Sequence, residues 1–359
     1  MFNFMMDTMH LIEDAERYSD TLLCDKFAYK FSKSSKKPTL YSSVYVCMIK
    51  GWLDSIPDHD KNDWASYLND FQQPNGFYVD PIVLNDRYMD GDGWGARHLI
   101  PHMIIALTRL GAKPRYEFSF LNKYKNPDEI IKLMDSLDFN KVWLSSNKIM
   151  NVAFSMQYAR DYMGEPFDDS IDAMQTWLFK RLREDCGMWQ NGDIGDVGVL
   201  YETIRGAYHI YPIFFYDGIE LPYIKKAIPF LTKAQNKQGG FDINLNSTAC
   251  DDIDAIDPLV RIALENGLNN SRDIKRVLKR ARINVLRNRN KDGGFVFSRR
   301  DNFCYGEAEE MPILSEESNL FGTWFRLLSL VYIDVFLGKN KINLLNLPSC
   351  EMQVRIMGD

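Results

Sequence analysis

A glycine followed by an aromatic residue returns along this chain in a polar turn: Asn75-Gly76-Phe77, Gly187-Met188-Trp189, Gln238-Gly239-Gly240-Phe241 and Asp292-Gly293-Gly294-Phe295. Gly76, Gly187, Gly240 and Gly294 are 111, 53 and 54 residues apart, so the first interval holds room for one degenerate copy. A unit of that length fits a pair of helices with their connections, and a unit that repeats must bury its apolar face against its neighbours. Glycine in such a turn is expected at the C′ position of a preceding helix, with the aromatic packing back on the neighbouring helix.

The apolar spacing agrees with helices. Periodic stretches cover 42–53, 147–163, 171–183, 224–233 and 274–286, and second helices of the repeats are predicted near 95–106, 203–210, 254–263 and 319–329. Alternating, strand-like patterns are rare. About six helix pairs over 330-odd residues predict an all-α fold, a single (α/α)6 toroid spanning 1–359, with 1–26 as an N-terminal extension and 339–359 as a C-terminal tail.

Charge and cysteine content narrow the partners. With 43 Lys and Arg against 49 Asp and Glu the net charge is −6, and the basic runs are short, so nucleic acid is not an expected partner. Six scattered cysteines without a C-x-x-C pair read as reduced thiols, and Met1-Phe2-Asn3-Phe4 leads to Asp7 without a basic leader region. No segment reaches the ~20 apolar residues of a spanning helix. A cytoplasmic protein is expected, with a peripheral membrane contact left open.

The densest chemical signal is Asp251-Asp252-Ile253-Asp254-Ala255-Ile256-Asp257, where four aspartates fall in seven positions. Aspartates before an apolar run cap a helix start, and Pro258 suits a first turn. Four exceed what one cap needs, and closely spaced carboxyls force one another to keep protons.

Asp252 and Asp254 follow Phe241 by eleven and thirteen residues. This resembles the interval from Gly-Gly-Trp to Asp-x-Asp-Asp in the class II terpene cyclases, relatives of squalene-hopene cyclase. The resemblance covers most of 60–335 at the level of the repeat, which is shared with the wider terpenoid cyclase and protein prenyltransferase superfamily. It implies that Asp254 stands at the position that protonates an alkene and Asp252 at the first aspartate. Ala255 replaces the third.

If the ring closes, the starts of the second helices face one opening, and the polar residues there become neighbours. Those residues are Arg97, His98 and His102; Asn147 and Asn151; Glu202, Arg205, Tyr208 and His209; Asp251, Asp252, Asp254 and Asp257; and Trp324 with Arg326. Asp254, Asp252 and His209 are the candidate catalytic set, with His209 tuning the acid or acting as an acid or base itself. Asp251, Asp257, Arg205, Tyr208, Glu202, Arg97, His98, Asn151, Trp324 and Arg326 are the candidate substrate-binding residues, the arginines through forked hydrogen bonds to a head group. His98 and His102 have metal-pair spacing but no third ligand, so no metal is assigned. No cofactor is expected, apart from Mg²⁺ if the substrate is a diphosphate.

The resemblance implies a small-molecule, isoprenoid substrate cyclised by protonation. A second reading is a carbohydrate-active (α/α)6 enzyme, a glycoside hydrolase or polysaccharide lyase. A third is a toroid that binds a lipid or glycan without catalysis. A prenyltransferase reading lacks an Asp-x-Cys counterpart near Cys250.

Overall fold

A computed structural model of the chain describes residues 7–83, 88–89, 91, 93–300, 302–339, 342–345, 348–349 and 353–356. Twelve α-helices dominate them. Six are almost wholly buried: α2 (Leu40–Trp52), α4 (Ala96–Arg109), α6 (Val142–Tyr158), α8 (Val197–Tyr216), α10 (Ala249–Glu265) and α12 (Leu320–Phe336). A helix that is apolar on most of its circumference must sit inside. These six pack α2 on α4, α4 on α6, α6 on α8, α8 on α10, α10 on α12 and α12 back on α2, which closes the inner ring.

The other six, α1 (Thr8–Asp20), α3 (Asp58–Asn69), α5 (Pro127–Asp135), α7 (Asp168–Phe179), α9 (Ala227–Lys233) and α11 (Arg272–Arg287), form the outer layer. α11 shows the reason most clearly: Ile274, Val277, Leu278, Ala281 and Val285 are buried, whereas Arg272, Arg276, Lys279 and Arg280 face solvent. Three short antiparallel ribbons among the described residues join or trail the helices. The fold is the expected all-α toroid.

Several boundaries differ from the sequence reading. The segment 1–26 supplies α1, which packs against both α12 and α2 and so takes the sixth outer place rather than extending from the ring. In the C-terminal tail, Ile342–Leu345 pair with Gln353–Ile356. α10 begins at Ala249, five residues before the predicted start, and Pro258 lies in its interior instead of its first turn. The helix is capped by Thr248, whose side chain and that of Asp251 form a reciprocal capping box.

The repeat glycines act differently from the C′ caps expected of them. Gly239 lies six residues beyond the end of α9, with φ +102°, and a Cβ there would meet the Arg280 carbonyl oxygen of α11 at 2.5 Å. Gly293 has φ +95°, and its Cβ would meet the Asp14 carbonyl of α1 at 2.4 Å. In each case the turn presses on the backbone of the next outer helix, and after the last repeat the next helix is α1. The spacing of 54 residues thus records where one outer helix leans on another. Gly239→Ala is expected to cost about 1–3 kcal/mol from left-handed strain and backbone overlap together, read as a lower denaturation midpoint.

Candidate active site

Inside the ring lies a cavity of about 860 Å³, walled by α4, α6, α8, α10, α12 and the loops preceding α4 and α12. Its apolar and aromatic lining residues are Trp94, Trp143, Leu144, Met150, Phe297, Phe303, Tyr305, Phe321 and Phe325. Asp251, Asp254, Arg205, Arg300, His98, His102 and His209 also line it, with the Arg205 guanidinium 5.5 Å from the Trp143 ring. A volume of this size lies in the range of small-molecule pockets.

Helical phase decides which aspartates reach the cavity. Asp251 and Asp254 are three residues apart and share a face, and both line the wall. Asp252 and Asp257 do not line it. Asp252 turns outward, where Oδ1 accepts the Phe241 N–H (3.1 Å) and Oδ2 accepts Asn284 Nδ2 (3.0 Å) and the Arg326 guanidinium. Asp257 lies a turn further along α10, paired with Arg261 (2.5 Å) and the Tyr332 hydroxyl (2.7 Å).

Asp251 is held on both oxygens. Arg205 donates to Oδ1 from Nη2 and Nε (2.7 and 3.1 Å), and Thr248 donates to Oδ2 from its amide and hydroxyl (2.9 and 2.8 Å). Arg300, next in the cluster, pairs with Asp242 at 2.8 Å. The arginines thus meet their charge in carboxylates.

Asp254 differs from its neighbours. It is 3% exposed, and among the described residues no hydrogen bond or ion pair engages its carboxyl. Its pKa is raised well above the ordinary carboxylate value, first by burial and then by the charge of Asp251, with Arg205 opposing. Asp254 is therefore a buried carboxyl on the cavity wall whose surroundings favour its protonated form. Asp252 is also raised by burial, with Arg326 pulling the other way, and burial lowers Arg326. For that pair desolvation outweighs attraction, as expected of an ion pair sealed from water.

Two of the cavity histidines, His98 and His209, are pushed towards the neutral form. Burial depresses His209 to about 3 and takes His98 well below its usual value, with the His102 and His209 imidazoles adding to the effect on His98. His209 Nδ1 is 2.9 Å from Ser146 Oγ, and among the described residues no hydrogen bond joins His209 to Asp254, the acid it was expected to tune. His98 Nδ1 lies 3.1 Å from the Tyr41 hydroxyl, and His102 Nδ1 donates to the His98 carbonyl at 2.9 Å.

Other residues expected at the opening are placed elsewhere. Arg97 and Asn151 line a smaller side pocket with Phe77 and Phe120. Glu202 accepts the Trp143 amide at 3.3 Å and does not line the cavity. Trp324 is fully buried and stacks on Trp52 at 4.4 Å, and Arg326, also fully buried, ties the Ser247 and Phe297 carbonyls (2.8 and 2.9 Å). Tyr208, Arg205, His98, His102 and Asn147 do line the cavity.

Sequence reasoning missed Arg300, Trp94, Trp143 and Phe303. Leu144, Asn147 and Met150 recur at three-residue spacing on α6, which could have placed Trp143 near the wall. Arg300 and Phe303 lie in a loop without period. Among the described residues, no group of three or more His, Cys, Asp or Glu is placed to hold a metal ion, and no helix is long and apolar enough to cross a membrane. The five described cysteines are free, and burial pushes the cavity-lining Cys250 thiol well above its usual pKa.

No family model matches the chain, and no curated protein matches it. Solved structures do. The type II terpene cyclase MstE from Scytonema, in complex with its substrate geranylgeranyl dihydroxybenzoate, is 12% identical, with 92% of this chain and 98% of MstE covered and a TM-score of 0.52. The MstE complex with its product merosterolic acid A gives the same values, and a further substrate complex gives a TM-score of 0.54. The chain has the helical toroid fold of the type II terpene cyclases.

Proposed function

We propose that this chain is a class II terpene-cyclase-like enzyme that folds an isoprenoid chain in the central cavity and starts its cyclisation by protonating an alkene from Asp254. The observation that carries this reading is a buried carboxyl, without a hydrogen bond among the described residues, on the wall of a cavity rich in aromatic side chains, where burial and Asp251 favour its protonated form. An alkene accepts a proton only from an acid that is protonated when held against it, which the raised pKa of Asp254 favours. Arg205 lies close enough to favour the carboxylate, so the charge left behind after transfer is partly compensated.

The cation then meets π-faces. Phe321 and Phe325 pack 4.9 Å apart on the wall, and Tyr305 lies 4.5 Å from Phe321, a cluster suited to stabilise positive charge out of water. MstE, which shares the fold, takes a geranylgeranyl-bearing substrate. The chemistry needs no cofactor, and Mg²⁺ would enter only with a diphosphate head group. The glycan reading is less well supported, because the second cavity carboxylate, Asp251, is committed to Arg205 and Thr248.

The test is incubation of the purified protein with geranylgeranyl diphosphate and with geranylgeranyl dihydroxybenzoate, followed by mass spectrometry. A cyclic isomer is expected from one of them. Unchanged substrate together with release of sugar or unsaturated uronide from polysaccharides would replace this reading by the carbohydrate one.

The raised pKa of Asp254 also sets a pH profile. The acid is competent while protonated, so turnover should persist through the range in which an ordinary carboxyl is ionised and fall on the alkaline side as pH passes its raised pKa. A rate that instead falls tenfold per unit above the ordinary carboxylate value would rule out a neutral Asp254 as donor.

A further inference from the structure

Cyclisation by protonation puts one proton into the substrate and must take one out if the product is an alkene. We propose that His209, held in a single tautomer by Ser146, is the base that takes it. This rests on the cyclase reading above.

The hydrogen bonds fix the tautomer. Ser146 Oγ donates its one proton to the Trp143 carbonyl at 2.8 Å, so at 2.9 Å from His209 Nδ1 it can only accept. Nδ1 therefore carries the hydrogen and Nε2 carries the lone pair. Burial keeps the ring neutral, and His209 lines the cavity. Among the described residues the hydrogen bond of this ring is made at Nδ1 and none engages Nε2, and the ring lines the cavity. The second hydrogen bond serves as an orienting contact of the kind that makes an imidazole a directed base.

Of His98 and His209, His209 is the one that neighbouring charge disfavours less. His98 is opposed by both His102 and His209, and its ring sits 4.7 Å from that of His102, whereas burial alone depresses His209. A weak base suffices, since a C–H bond beside a carbocation is a far stronger acid than an imidazolium.

The step balances without a co-reactant. The Asp254 O–H bond breaks and its proton forms a C–H bond at the alkene, while π-electrons of successive alkenes form the ring bonds. At the last cation a neighbouring C–H bond breaks, its electron pair becomes the product double bond, and its proton forms an N–H bond at His209 Nε2. A carboxylate and an imidazolium remain, and after product release the imidazolium gives its proton to water while Asp254 takes one back.

The experiment follows product identity rather than rate, using whichever of the two geranylgeranyl probes the wild type cyclises. His209→Phe should shift the ratio of the native alkene to alcohols or other alkenes by about tenfold or more, read among the cyclic products at whatever rate the variant turns over. Ser146→Ala should shift it in the same direction by less, and Ser146→Thr, which restores the hydroxyl, should return it. An unchanged product ratio in His209→Phe overturns the assignment and leaves the cyclase reading standing. If that variant does not fold, an unchanged ratio in Ser146→Ala overturns it. Absence of any cyclic product from the wild type overturns both.

Discussion

Replacing Asp254 by Asn should abolish cyclisation and raise the melting temperature in the same molecule. The loss of activity follows from the role: an amide has no acidic proton to give, and removing a general acid costs about 10²–10⁴-fold even where water can substitute. No substitute donor stands ready beside it, because Asp251 is already bound to Arg205 and Thr248, and burial pushes His98 and His209 towards the neutral form. Substrate should still bind, since the amide keeps the shape of the wall. A variant that retains full turnover would remove Asp254 from the mechanism.

The gain in stability follows from the sign of the shift. A group whose folded pKa is raised contributes stability that is fully present below its unfolded value and is lost as pH rises towards the folded value. For Asp254 the loss begins above the ordinary carboxylate range, at about 1.4 kcal/mol per pH unit, and continues until the folded carboxyl ionises. Asn carries no such penalty. The variant should therefore melt above the wild type at neutral pH, with the difference shrinking near pH 3.5. Equal melting temperatures at both pH values would mean that Asp254 is not held neutral by the fold.

The ring was legible because its signal is periodic. Gly76, Gly187, Gly240 and Gly294 mark turns of one kind, and the largely apolar stretch of α12 announces an inner helix. The physical reason for the glycines was not legible, because the carbonyls they approach belong to residues such as Arg280 and Asp14, 41 and 279 positions away from Gly239 and Gly293 in sequence. α1 was hidden for a related reason. It has no glycine turn of its own, and its place is recognisable only once α12 has come round to meet α2.

The site was legible as a region and blurred as a set of residues. The aspartate cluster and the His and Arg of neighbouring repeats do gather at one cavity, but a helix start misplaced by five residues hides which of them face inward. Measured from Thr248, Asp251 and Asp254 lie one turn apart on the same face, while Asp252 is rotated away from them. Trp324 and Arg326 failed to reach the cavity on the same principle, although Phe321 and Phe325 of the same helix line it. The loop contributions of Arg300 and Phe303 depend on tertiary placement that no local period encodes.

Asp252 is expected to answer mutation in the opposite way to its neighbour two residues on. Its carboxylate joins the turn amide of Phe241, the side chain of Asn284 on α11 and the guanidinium of Arg326 on α12, while Arg326 also holds the Ser247 and Phe297 carbonyls. Asp252→Asn keeps the volume but replaces one acceptor by a donor among donors, and it leaves a fully buried guanidinium without its counter-charge. Breaking one side of a buried ion pair costs about 3–5 kcal/mol. Equilibrium denaturation should show a loss of that size, and Arg326→Met should show a similar one. The double variant should cost less than the sum of the two, since the second change removes the charge that the first strands. Turnover per folded molecule should stay near the wild-type value, because Asp252 does not line the cavity. Activity lost from a variant of unchanged stability would instead move Asp252 from the scaffold into the chemistry, and with it the reason why this chain keeps two aspartates where its fold presents only one to the substrate at that spacing.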